Sequence, residues 1–224
     1  MSWFLLITIF IFLPEPSYAW GPLTHAYLSG QIFSLSGLLA TEILTMIKLY
    51  KDYFIYGNII PDTVIGKKYL PQEKNPHSWK TGFMLLNKAK TPEEKSFAYG
   101  FLTHLAADAV LHNEIRELNS FQHIIFEIKA DRIVDRFYWL QIMSINKKVK
   151  KISERFFEQT LLKPVSFKTS KKIYKSLIFL SAFNTGELKN PEVFDIFHLK
   201  SLTAMLDILN HGENSKIISL PPHN

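Results

Sequence analysis

The stretch Thr91-Pro92-Glu93-Glu94-Lys95-Ser96-Phe97-Ala98-Tyr99-Gly100-Phe101-Leu102-Thr103-His104-Leu105-Ala106-Ala107-Asp108-Ala109-Val110-Leu111-His112-Asn113-Glu114-Ile115-Arg116-Glu117 decides the fold class. Thr91 is placed to cap a helix, Pro92 pre-sets φ in the first turn, and Glu94 completes a capping box. One long helix is predicted from this start to about Glu117, with a break near Asn119-Ser120. His104, Asp108 and His112 fall four residues apart along it. Four residues advance a helix by about 400° and about 6 Å, so the three side chains share one face. A buried stripe of two imidazoles and a carboxylate needs partners, since buried polar groups without them are costly and a buried carboxylate needs a cation.

Outward from this helix the pattern stays helical. A second helix is predicted from Phe121 to about Ile145, with Ile124, Phe126, Ile128, Ile133, Val134 and Phe137 mostly on one side. Leu28 to Tyr50 reads as helix interrupted near Ser36-Gly37, and Gly57 to Pro76, punctuated by Pro61, Gly66 and Pro71, reads as loop. Later helices are expected around Val149–Leu162, Lys171–Phe183 and Pro191–Leu209. Strand alternation and internal repeats are missing, so the expectation is an all-α protein with one compact multi-helix domain over residues 20–224.

The second helix carries His123 and Glu127, again four apart. If the break at Asn119-Ser120 makes a helical hairpin, His112 and His123 lie at similar distances from the turn and can face each other, with Glu127 one turn on. Two imidazoles and one carboxylate are a set that holds a catalytic zinc with an open position. A lone His-x3-Glu is usually a surface pair; two such pairs on adjoining helices point to metal. His198, His211 and His223 read as surface or packing residues.

Composition limits the alternatives. With 224 residues, 47% hydrophobic and 14% aromatic, and a mean hydropathy of +0.02, the chain can bury a core and is not a disordered tail. It has no cysteine, which excludes disulfide scaffolds, thiolate zinc sites, iron–sulfur clusters and thiol catalysis. Any metal must be held by histidine, carboxylate or backbone atoms.

The N-terminus reads as a leader. The apolar run Trp3 to Leu13 would span about 16 Å as a helix, roughly half a bilayer core. Pro14, Pro16 and Ser17-Tyr18-Ala19 follow it, as expected of a secretory signal peptide, residues 1–19, cut before Trp20. A retained anchor is the alternative, disfavoured by the short span. The mature protein is then expected to be secreted or periplasmic.

Charge is uneven. Residues 20–127 carry ten basic and ten acidic residues, whereas residues 128–224 carry sixteen basic and nine acidic. Lys147, Lys148, Lys150 and Lys151 form one cluster, and Lys168, Lys171, Lys172 and Lys175 another. Such clusters are most often solvated helix faces; the sharper reading is attraction to an anionic membrane surface or a polyanion.

These residues together resemble the zinc-dependent phospholipases C and the related S1/P1-type nucleases. In that family the mature chain begins with tryptophan, matched by Trp20 in Trp20-Gly21-Pro22-Leu23-Thr24-His25. An aspartate follows the first helices, matched by Asp62 in Gly57-Asn58-Ile59-Ile60-Pro61-Asp62, and then a histidine, matched by His77 in Asn75-Pro76-His77-Ser78-Trp79. The family's His-x3-Asp matches His104 and Asp108, its next histidine matches His112, and its closing His-x3-Glu matches His123 and Glu127. The resemblance runs in order from Trp20 to about Asp135.

The resemblance implies three zinc ions: one held by the Trp20 terminus, His25 and Asp108, one by Asp62, His77 and His104 with Asp108 bridging, and one by His112, His123 and Glu127. His25 would reach its ion by the chain folding back through Gly21-Pro22. The resemblance further implies an exported phosphodiesterase in which a metal-activated hydroxide attacks phosphorus, with Asp62 both ligand and proton acceptor. The phospholipid substrate is favoured because Trp20-Gly21-Pro22-Leu23-Thr24-His25 and His123-Ile124-Ile125-Phe126-Glu127 resemble the bacterial phospholipase branch. The absence of a Gln-Pro segment between the central aspartate and the next histidine counts against the nuclease branch. Here Asp108 and His112 are separated only by Ala109-Val110-Leu111. A single-strand nuclease and a non-catalytic, zinc-stabilised lipid-binding or envelope protein are the alternatives.

Overall fold

The computed structural model describes residues 20–64, 74–117, 120–161 and 192–222, and among them the regular structure is entirely helical. The helices are α1 Pro22–Ser34, α2 Thr41–Leu49, α3 Lys51–Ile59, α4 Trp79–Lys88, α5 Pro92–Ile115, α6 Ser120–Ile133, α7 Phe137–Ser144, α8 Lys147–Leu161 and α9 Glu192–His211. Short 3-10 turns occupy Ser36–Leu38, Ile60–Thr63, Gly212–Asn214 and Lys216–Ser219. The predicted leader, the helix expected over Lys171–Phe183, the second lysine cluster and His223 lie outside the described residues.

The capped stretch becomes the central helix. Thr91 Oγ1 accepts from the Glu94 amide at 3.2 Å, and Glu94 Oε2 accepts from the Thr91 amide at 3.2 Å, closing the capping box. Helix α5 packs against α3, α4 and α9, with further contacts to α1 and α8. That enclosure explains its composition, since a helix surrounded by others is apolar on every side rather than along one stripe. Phe97, Phe101, Leu102, Leu105, Ala106, Ala109 and Leu111 are all buried, and so are His104, Asp108 and His112.

Helices α3 and α5 cross at two glycines. A Cβ on Gly57 would stand 2.1 Å from the Phe97 carbonyl oxygen, and one on Gly100 would stand 1.9 Å from the Phe54 carbonyl oxygen. No side chain fits between these backbones, so the two glycines set the distance of approach. Asn58, next to Gly57, and His104, one turn after Gly100, are thereby brought together.

Two expectations need correcting. Gly57, Asn58 and Ile59 belong to α3, and Ile60–Thr63 continues as a 3-10 turn, where a loop was expected from Gly57. Pro61 in the first turn of that 3-10 segment starts it rather than breaking α3. The helix expected from Phe121 to Ile145 is two helices: Asp135 Oδ1 accepts the Phe137 amide at 2.7 Å, a local side-chain bond that ends α6 and starts α7.

Candidate metal centre

Five residues from four parts of the chain converge at the middle of α5. His25 comes from the first turns of α1, Asp62 from the 3-10 turn after α3, His77 from the approach to α4, and His104 and Asp108 from α5 itself. Asn75 Oδ1 accepts the His77 amide at 2.9 Å, and Ser78 then caps α4 by accepting from the Thr81 amide at 3.2 Å. These two local bonds turn the chain so that His77 enters the interior just before its helix begins.

The facing atoms are close. Asp108 Oδ1 lies 3.1 Å from His25 Nε2; its Oδ2 lies 3.0 Å from His104 Nε2 and 3.5 Å from His77 Nε2. Asp62 Oδ1 lies 3.1 Å from His77 Nε2 and 3.8 Å from His104 Nε2, and its Oδ2 lies 3.8 Å from His25 Nε2. The His77 and His104 Nε2 atoms are 3.1 Å apart, and the His25 and His104 rings stack at 4.1 Å. One ligand atom from each of Asp62, His77, His104 and Asp108 falls within 4.8 Å of all the others.

Charge and burial oppose one another here. Burial alone would raise the Asp62 and Asp108 carboxyls, but the His104 imidazole beside both, with His77 at Asp62 and His25 at Asp108, holds each below the usual carboxylate range. Burial likewise works to lower His25, yet the Asp108 and Asp62 carboxylates outweigh it and raise it. The Asp108 oxygens and His25 Nε2 meet only one another and the neighbouring imidazoles and Asp62, and His25 Nδ1 has no hydrogen-bond partner. Buried polar atoms left in that condition are expensive. Three imidazoles and two carboxylates aimed at one small volume fit a borderline divalent cation such as zinc, which takes nitrogen and oxygen donors together.

A family model described as zinc dependent phospholipase C matches residues 24–175. The chain belongs to the zinc-dependent phospholipase C family. Neither the comparison with curated proteins nor that with solved structures found a match. The matched span contains the whole five-residue cluster, together with His112, His123 and Glu127.

The remaining expected ligands stand as follows. His112 is buried on α5, one turn beyond Asp108. His123 and Glu127 lie on α6, where Glu127 is half-buried and the His123 side chain is outside the description. Trp20 is buried, its indole Nε1 donating to Ser201 Oγ at 2.9 Å and its ring packing on His198 at 4.9 Å and Phe126 at 6.0 Å. The His25 amide donates to the Gly21 carbonyl at 3.0 Å, so the chain winds directly into α1 at Pro22.

Asp131, on α6, was not singled out from the sequence. Its carboxylate accepts from the Leu23 amide at 3.3 Å, the Thr24 amide at 2.9 Å and the Thr24 hydroxyl at 2.8 Å, and so caps the N-terminus of α1 from another helix. A Cβ on Gly21 would stand 2.4 Å from that carboxyl group, so the glycine makes room for it. Burial raises the Asp131 carboxyl to about 6, against the pull of the Thr24 and Leu23 donors. The signal was the four-residue series His123, Glu127, Asp131, which extends the expected pair by one turn. Elsewhere, His198 is a buried packing residue against Trp20 and Tyr27, and His211 is exposed and bonds to Asp207.

Proposed function

We propose that this protein is an exported phosphodiesterase that hydrolyses a phospholipid with zinc bound in the buried cluster. The observation that carries the reading is the convergence of Asp108 on His25, His104 and His77, with Asp62 completing the wall, inside the span that matches the family. His25, Asp62, His77, His104 and Asp108 would hold zinc, with the Trp20 terminus joining His25, and His112, His123 and Glu127 supplying a further ion. Zinc so held supplies Lewis acidity toward a phosphodiester anion and brings the pKa of water near about 7.

The protein's own groups have separate tasks. Asp62 and Asp108 stay ionised at neutral pH and keep the imidazoles oriented by their carboxylate oxygens. Asp62 is the candidate proton acceptor, with Oδ1 directed to His77 and Oδ2 toward His25. Asp62, Asp108 and Glu127 together leave the bound divalent cations under-neutralised, which favours an anionic substrate. Hydrolysis of a phospholipid in this way would place the oxygen of water on phosphorus and release the glyceride hydroxyl.

The test uses purified protein beginning at Trp20, with and without a zinc chelator, on a monomeric phospholipid and on single-stranded DNA. Chelator-sensitive release of the phosphorylated headgroup is expected. Cleavage of DNA alone would move the substrate to nucleic acid, and inactivity on both with full zinc content would favour a binding protein.

A further inference from the structure

We infer that α7 and the first turn of α8 form a docking surface for an anionic lipid bilayer. The inference rests on the phospholipase reading only for its choice of a lipid partner. Helix α7, Phe137-Tyr138-Trp139-Leu140-Gln141-Ile142-Met143-Ser144, contains no charged residue. Its inner side is apolar, with Ile142 buried and Tyr138 and Trp139 packed on the core. Its outer side is apolar as well: Phe137 is 61%, Leu140 56% and Met143 43% exposed, at three-residue spacing on one stripe. Water-facing helix surfaces are ordinarily polar, so a stripe of this kind is best explained by a partner that is itself apolar.

Charge identifies that partner. Lys147, Lys148, Lys150 and Lys151 open α8 directly after the stripe, and Lys150 Nζ donates to the Met143 carbonyl at 3.4 Å, which fixes the lysine cluster against the stripe's end. Lys147, Lys148 and Lys151 are exposed, as is Arg136 at the other end of α7. Among the described residues Asp135 places an acidic group beside the stripe, with its Oδ1 engaged with the Phe137 amide. The α8 helix turns Val149, Phe156, Phe157 and Leu161 inward, leaving Lys147, Lys148, Lys151 and Arg155 to solvent. An apolar ridge bordered by lysines suits insertion at the acyl–headgroup boundary of a membrane carrying anionic lipid. A second exposed apolar row, Val193, Ile196 and Leu199 on α9, is accompanied by the acidic Glu192 and Asp195 and lacks this complementarity.

The experiment measures partition of the zinc-loaded protein onto vesicles of 70:30 phosphatidylcholine–phosphatidylserine and onto pure phosphatidylcholine. Tighter binding to the anionic vesicles is expected, on the order of tenfold at low salt. The triple variant F137S/L140S/M143S should lose about tenfold in partition and keep its hydrolysis of monomeric phospholipid. K147E/K148E/K151E should lose the preference for phosphatidylserine. The corresponding serine variant of Val193, Ile196 and Leu199 should bind as the parent does. In L140W, brominated acyl chains should quench the added indole, a reading that does not depend on the triple variant folding. Unchanged partition of both α7/α8 variants, or no quenching in L140W, would overturn the docking surface. So would a dimer that dissociates in the serine variant while vesicle binding persists. Failure of the phospholipase reading would appear separately, as no hydrolysis of the monomeric lipid by the parent.

Discussion

His104 Nδ1 lies 2.9 Å from the main-chain carbonyl oxygen of Asn58. A carbonyl oxygen only accepts, so Nδ1 carries the proton, and in the neutral ring the lone pair is at Nε2, the atom directed at Asp108, Asp62 and His77. The tautomer a metal requires is thus set by the backbone of α3, before any metal arrives.

That relationship depends on the glycine crossing. Gly57→Ala or Gly100→Ala would drive a methyl group into the opposing backbone, forcing α3 and α5 apart. Each is expected to lower stability by about 1–3 kcal/mol or more. Each should also weaken zinc binding, because Asn58 moves away from His104. Thermal unfolding together with a zinc titration checks both, and a variant with normal zinc affinity would separate the crossing from the site.

Asp108 faces three imidazoles and His112 lies one turn away from it. Asp108→Ala is expected to lose two zinc ions and at least about 100-fold in hydrolysis, and His112→Ala mainly one ion. Elemental analysis of the two variants decides this, and equal stoichiometries would refute the shared role of Asp108.

Removing zinc should destabilise the fold itself. Asp62, Asp108, His25, His77 and His104 crowd their ligand atoms together in a buried volume, and His25 Nδ1 has no partner there, so the apo cluster keeps a cost that bound metal relieves. At free zinc 1,000 times the dissociation constant the stabilisation is about 4 kcal/mol. Calorimetry with and without chelator should show a clear fall in Tm, and identical transitions would argue against metal.

Asp131 gives a pH dependence of opposite sign to that of most carboxylates. Its folded pKa of about 6 exceeds the ordinary value of 3.8, so the native state binds the extra proton between those values. Stability from this group is then fully present below about pH 4 and is lost as pH rises through about 6, by about 3 kcal/mol. Asp131→Asn keeps an acceptor for the Thr24 and Leu23 amides and should flatten that part of the profile. Denaturant unfolding of both proteins from pH 4 to 7 provides the difference.

The terminal amine offers a further check. A protein beginning at Trp20 is expected to bind one zinc ion more than the same protein with one residue added before Trp20. An internal amide nitrogen is no useful donor, whereas an α-amine of pKa about 7.7–8.0 can yield its proton to a metal. Equal zinc content in the two forms would remove the amine from the site.

Local sequence determined what local physics controls. Thr91, Pro92 and Glu94 specified the start of α5, and the four-residue spacing put His104, Asp108 and His112 on one face, because capping and helical periodicity act within a few residues. The membership of Asp62 and His77 came from order along the chain matched to a family, since neither spacing nor composition ties a turn aspartate to a loop histidine. Tertiary structure decided the rest. The tautomer of His104 depends on a carbonyl from α3, and the cap on α1 depends on Asp131, more than a hundred residues away in sequence. Backbone carbonyls and helix ends are common to every residue type, so no pattern of side chains announces which of them will meet; the close packing around α5 settles that.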